Sequence, residues 1–191
     1  GTDGAGLWTL GNIQSPFRWL KAPDNMSNTV TTAIGLGKGT ITTGGFNGYV
    51  DVISNPDTDS PSFRSIYLED NNLTSITSPQ GTDEIWVASI RKGIHVFRDG
   101  RMVHKIDLPI YPLAMTSTGD TVYVLSPNSL VAISAADRKI LFTQRLADNL
   151  VYPTSMSTDV AGRIWIGTND HGIYLYDPNH RTMVKTPDSL G

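Results

Sequence analysis

The chain has 191 residues, 39% of them hydrophobic, which is enough to bury a substantial core in one large domain or two small ones. Fifteen Lys and Arg against eighteen Asp and Glu leave a formal net charge of -3 with no basic stripe or acidic tail, so electrostatics argue against nucleic acid and against anionic membrane as partners. No apolar run reaches the roughly 18 residues a membrane-spanning helix needs, and zero cysteines exclude disulfides, thiolate nucleophiles and Cys-based zinc sites.

Eighteen Gly, eleven Pro and many short Val, Ile, Tyr and Trp runs, with no sustained helical period, predict an all-β chain. Two strands come first, "GLWTL" from Gly6 and "PFRWLK" from Pro16. A unit of four follows: "VTTAIG" from Val30, "TITTGG" from Thr40, "GYVDVI" from Gly48 and "SFRSIYL" from Ser62. The next unit has "LTSITS" from Leu73, "EIWVAS" from Glu84, "GIHVFR" from Gly93 and "RMVHKID" from Arg101. The third has "PLAMTS" from Pro112, "TVYVLS" from Thr121, "SLVAIS" from Ser129 and "KILFTQRL" from Lys139. The fourth has "PTSMST" from Pro153, "RIWIGT" from Arg163, "GIYLYD" from Gly172 and "RTMVK" from Arg181. The nearest approach to a helix, "SAADRKILF" from Ser134, reads instead as a turn at Asp137 and Arg138 between two strands.

Equivalent strands recur about every forty residues, and four short strands per repeat is the pattern of a β-propeller blade, whose faces are buried only by stacking on neighbours. The second strands carry a column of large rings, Trp86, Tyr123 and Trp165, interrupted by Thr42. The predicted fold is therefore a single all-β propeller domain of four-stranded antiparallel blades over residues 1–191. About four and a half blades are present: a half blade at 1–24 and full blades at 25–69, 70–108, 109–147 and 148–191. The half blade, the linker-like "PDSLG" at the end and the non-Met start predict a piece of a larger or oligomerically completed propeller, whose terminal blades would associate with neighbouring blades or other copies.

One repeat carries a specific motif: Asp159, Gly162, Ile164, Trp165, Ile166, Gly167 and Thr168, then Gly172, Ile173, Tyr176 and Asp177. It resembles the D-x-x-G-x-(L/I)-W-(I/V)-G-T-x-x-x-G-(L/I) consensus of the two-component regulator propeller, a repeat of bacterial sensory proteins. The other repeats are degenerate: the second keeps Ile85, Trp86, Gly93 and Ile94, and the third has Tyr123 and Ser129 in place of the Trp and the later Gly. The resemblance implies a propeller and a role in periplasmic or extracellular ligand sensing. It brings no catalytic residues.

The motif residues have a structural reading. Trp86 and Trp165 fill space between blades, Gly167 permits close approach and Gly172 supplies permissive backbone at a strand start. His95, between Ile94 and Val96, is expected to be a buried histidine with one hydrogen-bond partner. His104 and His180 lack a second histidine at metal spacing, the "SNPDTDSPS" loop lacks the EF-hand pattern, and neither a metal nor a cofactor is predicted.

Specificity is expected in the turns, because links between second and third strands and between blades emerge on one face of the disc, on a rigid scaffold. The candidate ligand-binding residues there are Asn47, Arg91, Lys92, Tyr111, Tyr152, Asp170 and His171. Asp3, Phe46, Glu69, Asp70, Asn71, Asn128, Asp148 and Asn149 lie in the same set of turns and links. Asp170 and His171 also suit a simple tight turn. No nucleophile elbow, P-loop, dinucleotide fingerprint or repeated carboxylate pair is present, so the expectation is a non-enzymatic module that senses a small molecule or oligosaccharide, plausible by resemblance as a carbohydrate. Two other readings stay open: a protein-interaction scaffold in an envelope or secretion assembly, and a lyase or glycosidase on a propeller core.

Overall fold

The computed structural model describes residues 7–10, 17–20, 30–70, 72–146 and 153–186. Four antiparallel four-stranded sheets are arranged as blades of a β-propeller, each a meander in chain order, and the described residues contain no helix. A two-stranded ribbon of β1 (Leu7–Leu10) and β2 (Phe17–Leu20) precedes them. The first blade comprises β3 (Thr31–Gly37), β4 (Thr40–Gly45), β5 (Tyr49–Ser54) and β6 (Ser62–Tyr67). The second comprises β7 (Leu73–Thr77), β8 (Glu84–Ser89), β9 (Gly93–Arg98) and β10 (Arg101–Ile106). The third comprises β11 (Ala114–Thr118), β12 (Thr121–Leu125), β13 (Ser129–Ser134) and β14 (Ile140–Arg145). The fourth comprises β15 (Pro153–Thr158), β16 (Ile164–Thr168), β17 (Ile173–Asp177) and β18 (Thr182–Lys185).

The burial pattern follows from position within the blade. The two central strands of the second blade are covered on both faces, so "EIWVAS" is buried throughout, and a run without alternation is what a doubly covered strand requires. Outer strands face solvent, and β10 is exposed except at Ile106. The core is a series of seams. Val50, Val52 and Leu68 of the first blade meet Leu73, Ile85, Val87 and Phe97 of the second. Trp86, Ile94 and Val96 on the other face of the second blade meet Val122, Val124 and Ile133 of the third. Tyr123, Leu125 and Leu130 on the far face of the third meet Ile164, Ile166, Tyr174 and Tyr176 of the fourth. Leu20 of the ribbon joins Ile41 and Ile53 on the outer face of the first blade. Innermost strands are also stitched across the seams. Thr32 Oγ1 donates to the Leu73 carbonyl at 2.9 Å, Thr74 Oγ1 to that of Pro112 at 2.9 Å, and the Met115 amide to Ser75 Oγ at 2.9 Å.

The two tryptophans show how a carboxylate anchors the aromatic column. Trp86 is fully buried and its indole N–H donates to Glu84 Oε2 at 3.1 Å. Burial alone would raise the Glu84 carboxyl, but hydrogen bonds from Arg138 and Trp86 and the charges of Arg138 and Arg98 hold it below its ordinary range. Arg98 lies on the same blade, 2.8 Å from Glu84 Oε1, whereas Arg138 comes from the third blade, so this carboxylate also ties two blades together.

In the fourth blade Asp159 plays a related part from the preceding turn. Its carboxylate accepts the amides of Ala161 and Arg163 at 2.9 and 3.0 Å, the Arg163 Nε at 2.8 Å and the Trp165 indole N–H at 3.0 Å. These bonds explain why an Asp, a Gly and a Trp occur at that spacing: Gly162 takes the positive φ of 78° at the turn, and the carboxylate holds both turn and ring. The indole hydrogen bond from Trp165, with the guanidinium and amides of the turn, depresses the Asp159 carboxyl to about 2. Trp165 itself is only half-buried, because Ile164 and Ile166 take the face toward the third blade. The packing expectation therefore holds in full for Trp86 and in part for Trp165.

Two outcomes follow from these contacts. Trp86→Ala is expected to cost about 3–5 kcal/mol in urea unfolding, and Trp165→Ala well under half of that, because only the first leaves a cavity between two covered faces. Asp159 has a folded value below its ordinary 3.8, so its contribution is complete above that value and is lost as pH falls toward 2. Unfolding measured at a series of pH values through this window should show a shallower loss for Asp159→Asn than for the parent chain.

Candidate functional site

Antiparallel meanders put the β4–β5, β8–β9, β12–β13 and β16–β17 turns and the blade-to-blade links at one end of the disc, here called the link end. The remaining hairpin turns lie at the other end. Each sequence-predicted site residue that the structure describes falls at the link end, where a repeated device holds the turns: a short polar side chain at the strand end accepts amide protons of the turn that follows it.

The seam between the first and second blades is the most elaborate case. Asp70 is 5% exposed, and its carboxylate accepts the Ser89 hydroxyl and the Arg91 amide, the latter at 3.1 Å. Ser89 Oγ in turn accepts the Lys92 amide at 3.2 Å, and the Ile90 amide donates to the Asn72 carbonyl at 3.1 Å. On the first blade, Gly48 has φ of 76°, and a Cβ placed there would overlap the Asp70 carbonyl oxygen. Glycine is thus required by close approach as well as by backbone conformation. These contacts bring the Phe46–Asn47 turn and the Arg91–Lys92 turn onto one seam, with the Arg91 and Lys92 side chains exposed above a buried base. Asp70 itself, expected among the loop residues open to a ligand, is instead the internal acceptor of this framework, because burial requires its charge to be matched by donors.

The other candidates are distributed around the same end. Tyr111, on the link between second and third blades, is 64% exposed beside the buried Pro112. In the fourth blade, Thr168 Oγ1 donates to the Gly172 carbonyl at 2.7 Å and accepts the His171 amide at 3.0 Å, so the Thr168 side chain fixes the backbone of the turn. Asp170 Oδ1 and His171 Nδ1 are 2.6 Å apart and both side chains are exposed, which makes them an open pair at the turn tip rather than a buried one. The third blade separates this pair from Arg91 and Lys92. Tyr152, and with it Asp3, Asn71, Asp148 and Asn149, lies outside the described residues.

His95 is buried with Nδ1 3.3 Å from the Met102 sulfur and Nε2 without a partner. Burial, reinforced by Lys105, pushes its pKa down and so favours the neutral ring. Among the described residues no group of three or more His, Asp or Glu side chains converges as a metal site.

One link-end residue, Tyr67, escaped the sequence reading, which named Phe46 and Tyr111 beside it. Three aromatic side chains among the described residues are more than a third exposed: Phe46 at 57%, Tyr67 at 52% and Tyr111 at 64%. All three lie at the link end, and the Tyr67 ring sits 4.9 Å from that of Tyr49. Tyr67 reads in the sequence as an ordinary strand residue; its position as the last residue of an outer strand was the only available signal.

No family model matches this chain, and no curated protein sequence matches it. Among solved structures, the computationally designed Ika4 protein superposes with a TM-score of 0.64 at 11% identity, over 80% of this chain and 93% of that one. Virginiamycin B lyase from Staphylococcus aureus superposes with a TM-score of 0.72 at 15% identity, over 94% of this chain. The match covers 62% of the lyase, so this chain spans less than two thirds of that protein's length. At such identities the likeness establishes the β-propeller fold.

Removing the seam acceptor tests the framework. Asp70→Ala is expected to cost about 1–3 kcal/mol, since it leaves the buried Ser89 hydroxyl and the Arg91 amide without their acceptor. Amide hydrogen exchange at Arg91 and Lys92 should accelerate while that of the Thr168–Gly172 turn stays unchanged.

Proposed function

We propose that this chain is a non-catalytic recognition propeller of a bacterial extracytoplasmic signalling protein, binding a carbohydrate-like ligand at the link end. The observation that carries the reading is the gathering of the exposed rings of Phe46, Tyr67 and Tyr111 at the end where the polar turns emerge. A sugar presents C–H faces to aromatic rings and hydroxyls to amides, carboxylates and guanidinium groups, so that combination of side chains suits it. Asn47, Arg91, Lys92, Tyr111, Tyr152, Asp170 and His171 are the proposed contacts. The Arg91–Lys92 and Asp170–His171 backbones belong to turns tied to a rigid scaffold, so little ordering of them is required on binding. The resemblance of the Asp159–Asp177 repeat to sensory propellers supports the signalling role and the periplasmic or extracellular setting. In this mechanism no bond in the ligand changes: its differential affinity for two arrangements of adjoining domains shifts their populations.

Titration with a panel of oligosaccharides tests the reading. Saturable binding is expected, weakened about ten-fold by Tyr111→Ala or Phe46→Ala and less by Arg91→Ala, because loss of a stacking ring removes on the order of 1.4 kcal/mol. Absence of binding across the panel at millimolar ligand argues for a protein partner instead. Turnover of a bound glycan, abolished by Asp170→Asn, would replace the recognition reading by an enzymatic one.

A further inference from the structure

Equivalent strands of the four blades bring equivalent register pairs to the face that meets the following blade. In the second blade these are Trp86 with Val96 and Ala88 with Ile94; in the third, Tyr123 with Ala132 and Leu125 with Leu130. All are buried against the next blade. The counterparts in the fourth blade are Trp165 with Leu175 and Gly167 with Ile173. Here the same face is open: Ile173 is 44% exposed where Ile94 and Leu130 are fully buried, and Val184, paired with Leu175, is 58% exposed. Gly167 gives the same result. A Cβ added there would meet only Ser155 of its own blade among the described residues, whereas one at Gly44, its counterpart in the first blade, reaches Leu73 of the second. Scattered apolar residues on a surface are ordinary, but a contiguous apolar face at a position that packs in every other repeat marks a surface built to be covered.

The first blade is open toward the other side, and only in its inner half. Ile34 pairs with Thr43 and Leu36 with Ile41, which puts both on the face turned away from the second blade. Ile34 is 45% exposed and Leu36 70%, although Ile76 and Met115, at the place of Ile34 in the next two blades, are buried. The outer half of that face is covered, because Ile41 and Ile53 cluster with Leu20 of the ribbon. The ribbon sits there as the outer half of a blade would. Leu20 pairs with Leu7 as Ile106 pairs with Ile94, and Leu20 and Ile106 are both buried. Strands β1 and β2 therefore correspond to the third and fourth strands of a blade. A third strand has a second strand on its inner side, yet β1 pairs with β2 alone among the described strands, so its other edge is open.

We propose that the open faces of the fourth and first blades, with the open edge of β1, form a docking site for one β-hairpin supplied by polypeptide other than these 191 residues. The hairpin is the inner half of a fifth blade whose outer half is the ribbon. Both blades reach the place it would occupy, since β3 and β15 line one axial cavity together with β7 and β11. The chemistry of the occupant follows from the repeat. Its second strand pairs antiparallel with β1 and is apolar on both faces. One parity packs on Ile173, Leu175 and Val184, as Ile85 and Val87 pack on the first blade; the other, with a ring at the place of Trp86, packs on Ile34 and Leu36. Its first strand carries small hydroxylated residues, as Thr74, Ser75, Thr154 and Ser155 do at the axis. Backbone pairing along β1 sets the register and the apolar contacts supply affinity. A second copy fits less well: its described strands outside the ribbon are already in four-stranded sheets, and the ribbon takes half the space a whole sheet needs. The site shares no residue with the proposed ligand contacts, so it stands independently of the link-end reading.

The probe is a labelled synthetic peptide of residues 72–90, the inner hairpin of the second blade, followed by fluorescence anisotropy. A control peptide carries Ile85→Thr, Trp86→Thr and Val87→Thr together. The protein is used as the parent chain and as Ile173→Lys, Leu36→Lys, Val103→Lys and Tyr111→Ala, all at exposed positions where substitution leaves the fold intact. Saturable one-to-one binding of the probe is expected, with slower amide hydrogen exchange across Leu7–Leu10. Ile173→Lys and Leu36→Lys should each weaken it at least about ten-fold, as should the control substitutions in the peptide. Val103→Lys, on the apolar outer strand β10, and Tyr111→Ala should leave it unchanged. The proposal is overturned if the probe does not bind at millimolar concentration, if the control peptide binds equally well, or if binding survives both Ile173→Lys and Leu36→Lys. Loss on Tyr111→Ala alone would assign the peptide to the link end and overturn it too. Sedimentation gives the remaining contrary outcome: a parent dimer dispersed by Ile173→Lys would give the face to a second copy. Should either lysine variant fail to fold by thermal unfolding, Ile173→Ser and Leu36→Ser decide the outcome.

Discussion

Everything in this molecule depends on the apolar seam between consecutive blades. A four-stranded meander presents two apolar faces and has no means of burying either by itself, so each sheet is stable only as a neighbour of another. The clusters joining Val87 to Val52, Trp86 to Val124 and Tyr123 to Tyr176 are therefore the fold's primary bonds, and the strands are the supports on which they are mounted. A blade has two faces, supplied by residues of alternating parity along the same strand, and each face enters a different seam. This is why Ile85 and Trp86, adjacent in the chain, belong to different clusters.

The polar groups in and beside the seams are arranged so that burial does not penalise them. Glu84 accepts from an indole and two guanidiniums, and Asp70 from a hydroxyl and an amide of the next turn. Each carboxylate serves as both a cap and a cross-link. Glycine does complementary work: Gly48 is forced by the Asp70 carbonyl, and Gly35 by the approach of Ile76. The exceptions are as informative as the rule. Thr42 and Ser78 keep unpaired hydroxyls beside one seam.

The two ends of the disc divide scaffold from variable surface. In the β8–β9, β12–β13 and β16–β17 turns at the link end the backbone is fixed by a serine, threonine or aspartate that precedes or adjoins it, while the residues at the tips differ from blade to blade. Such a surface can change its recognition chemistry without disturbing the seams. His171 illustrates the point: its amide is held by Thr168, and its ring is left to solvent and to Asp170.

Much of this architecture was legible in the chain itself. Strand positions, the four-strand repeat, the turn at Asp137 and Arg138 and the packing role of Trp86 all follow from local patterns, since strand period and turn chemistry are properties of neighbouring residues. The carboxylate clasp of Asp159 was visible as a motif spacing without its meaning. What only the tertiary structure decided concerns residues distant in sequence. Asp70 could not be told from an exposed loop acid until Ser89 and Arg91 closed over it, and Tyr67 could not be told from a buried strand residue until the link end was assembled around it. The gap at Thr42 in the ring column was written in the sequence. That the blades close over Thr42 all the same, leaving it 1% exposed, was settled by the packing of one blade on the next, because a fit belongs to two surfaces and no single strand specifies both.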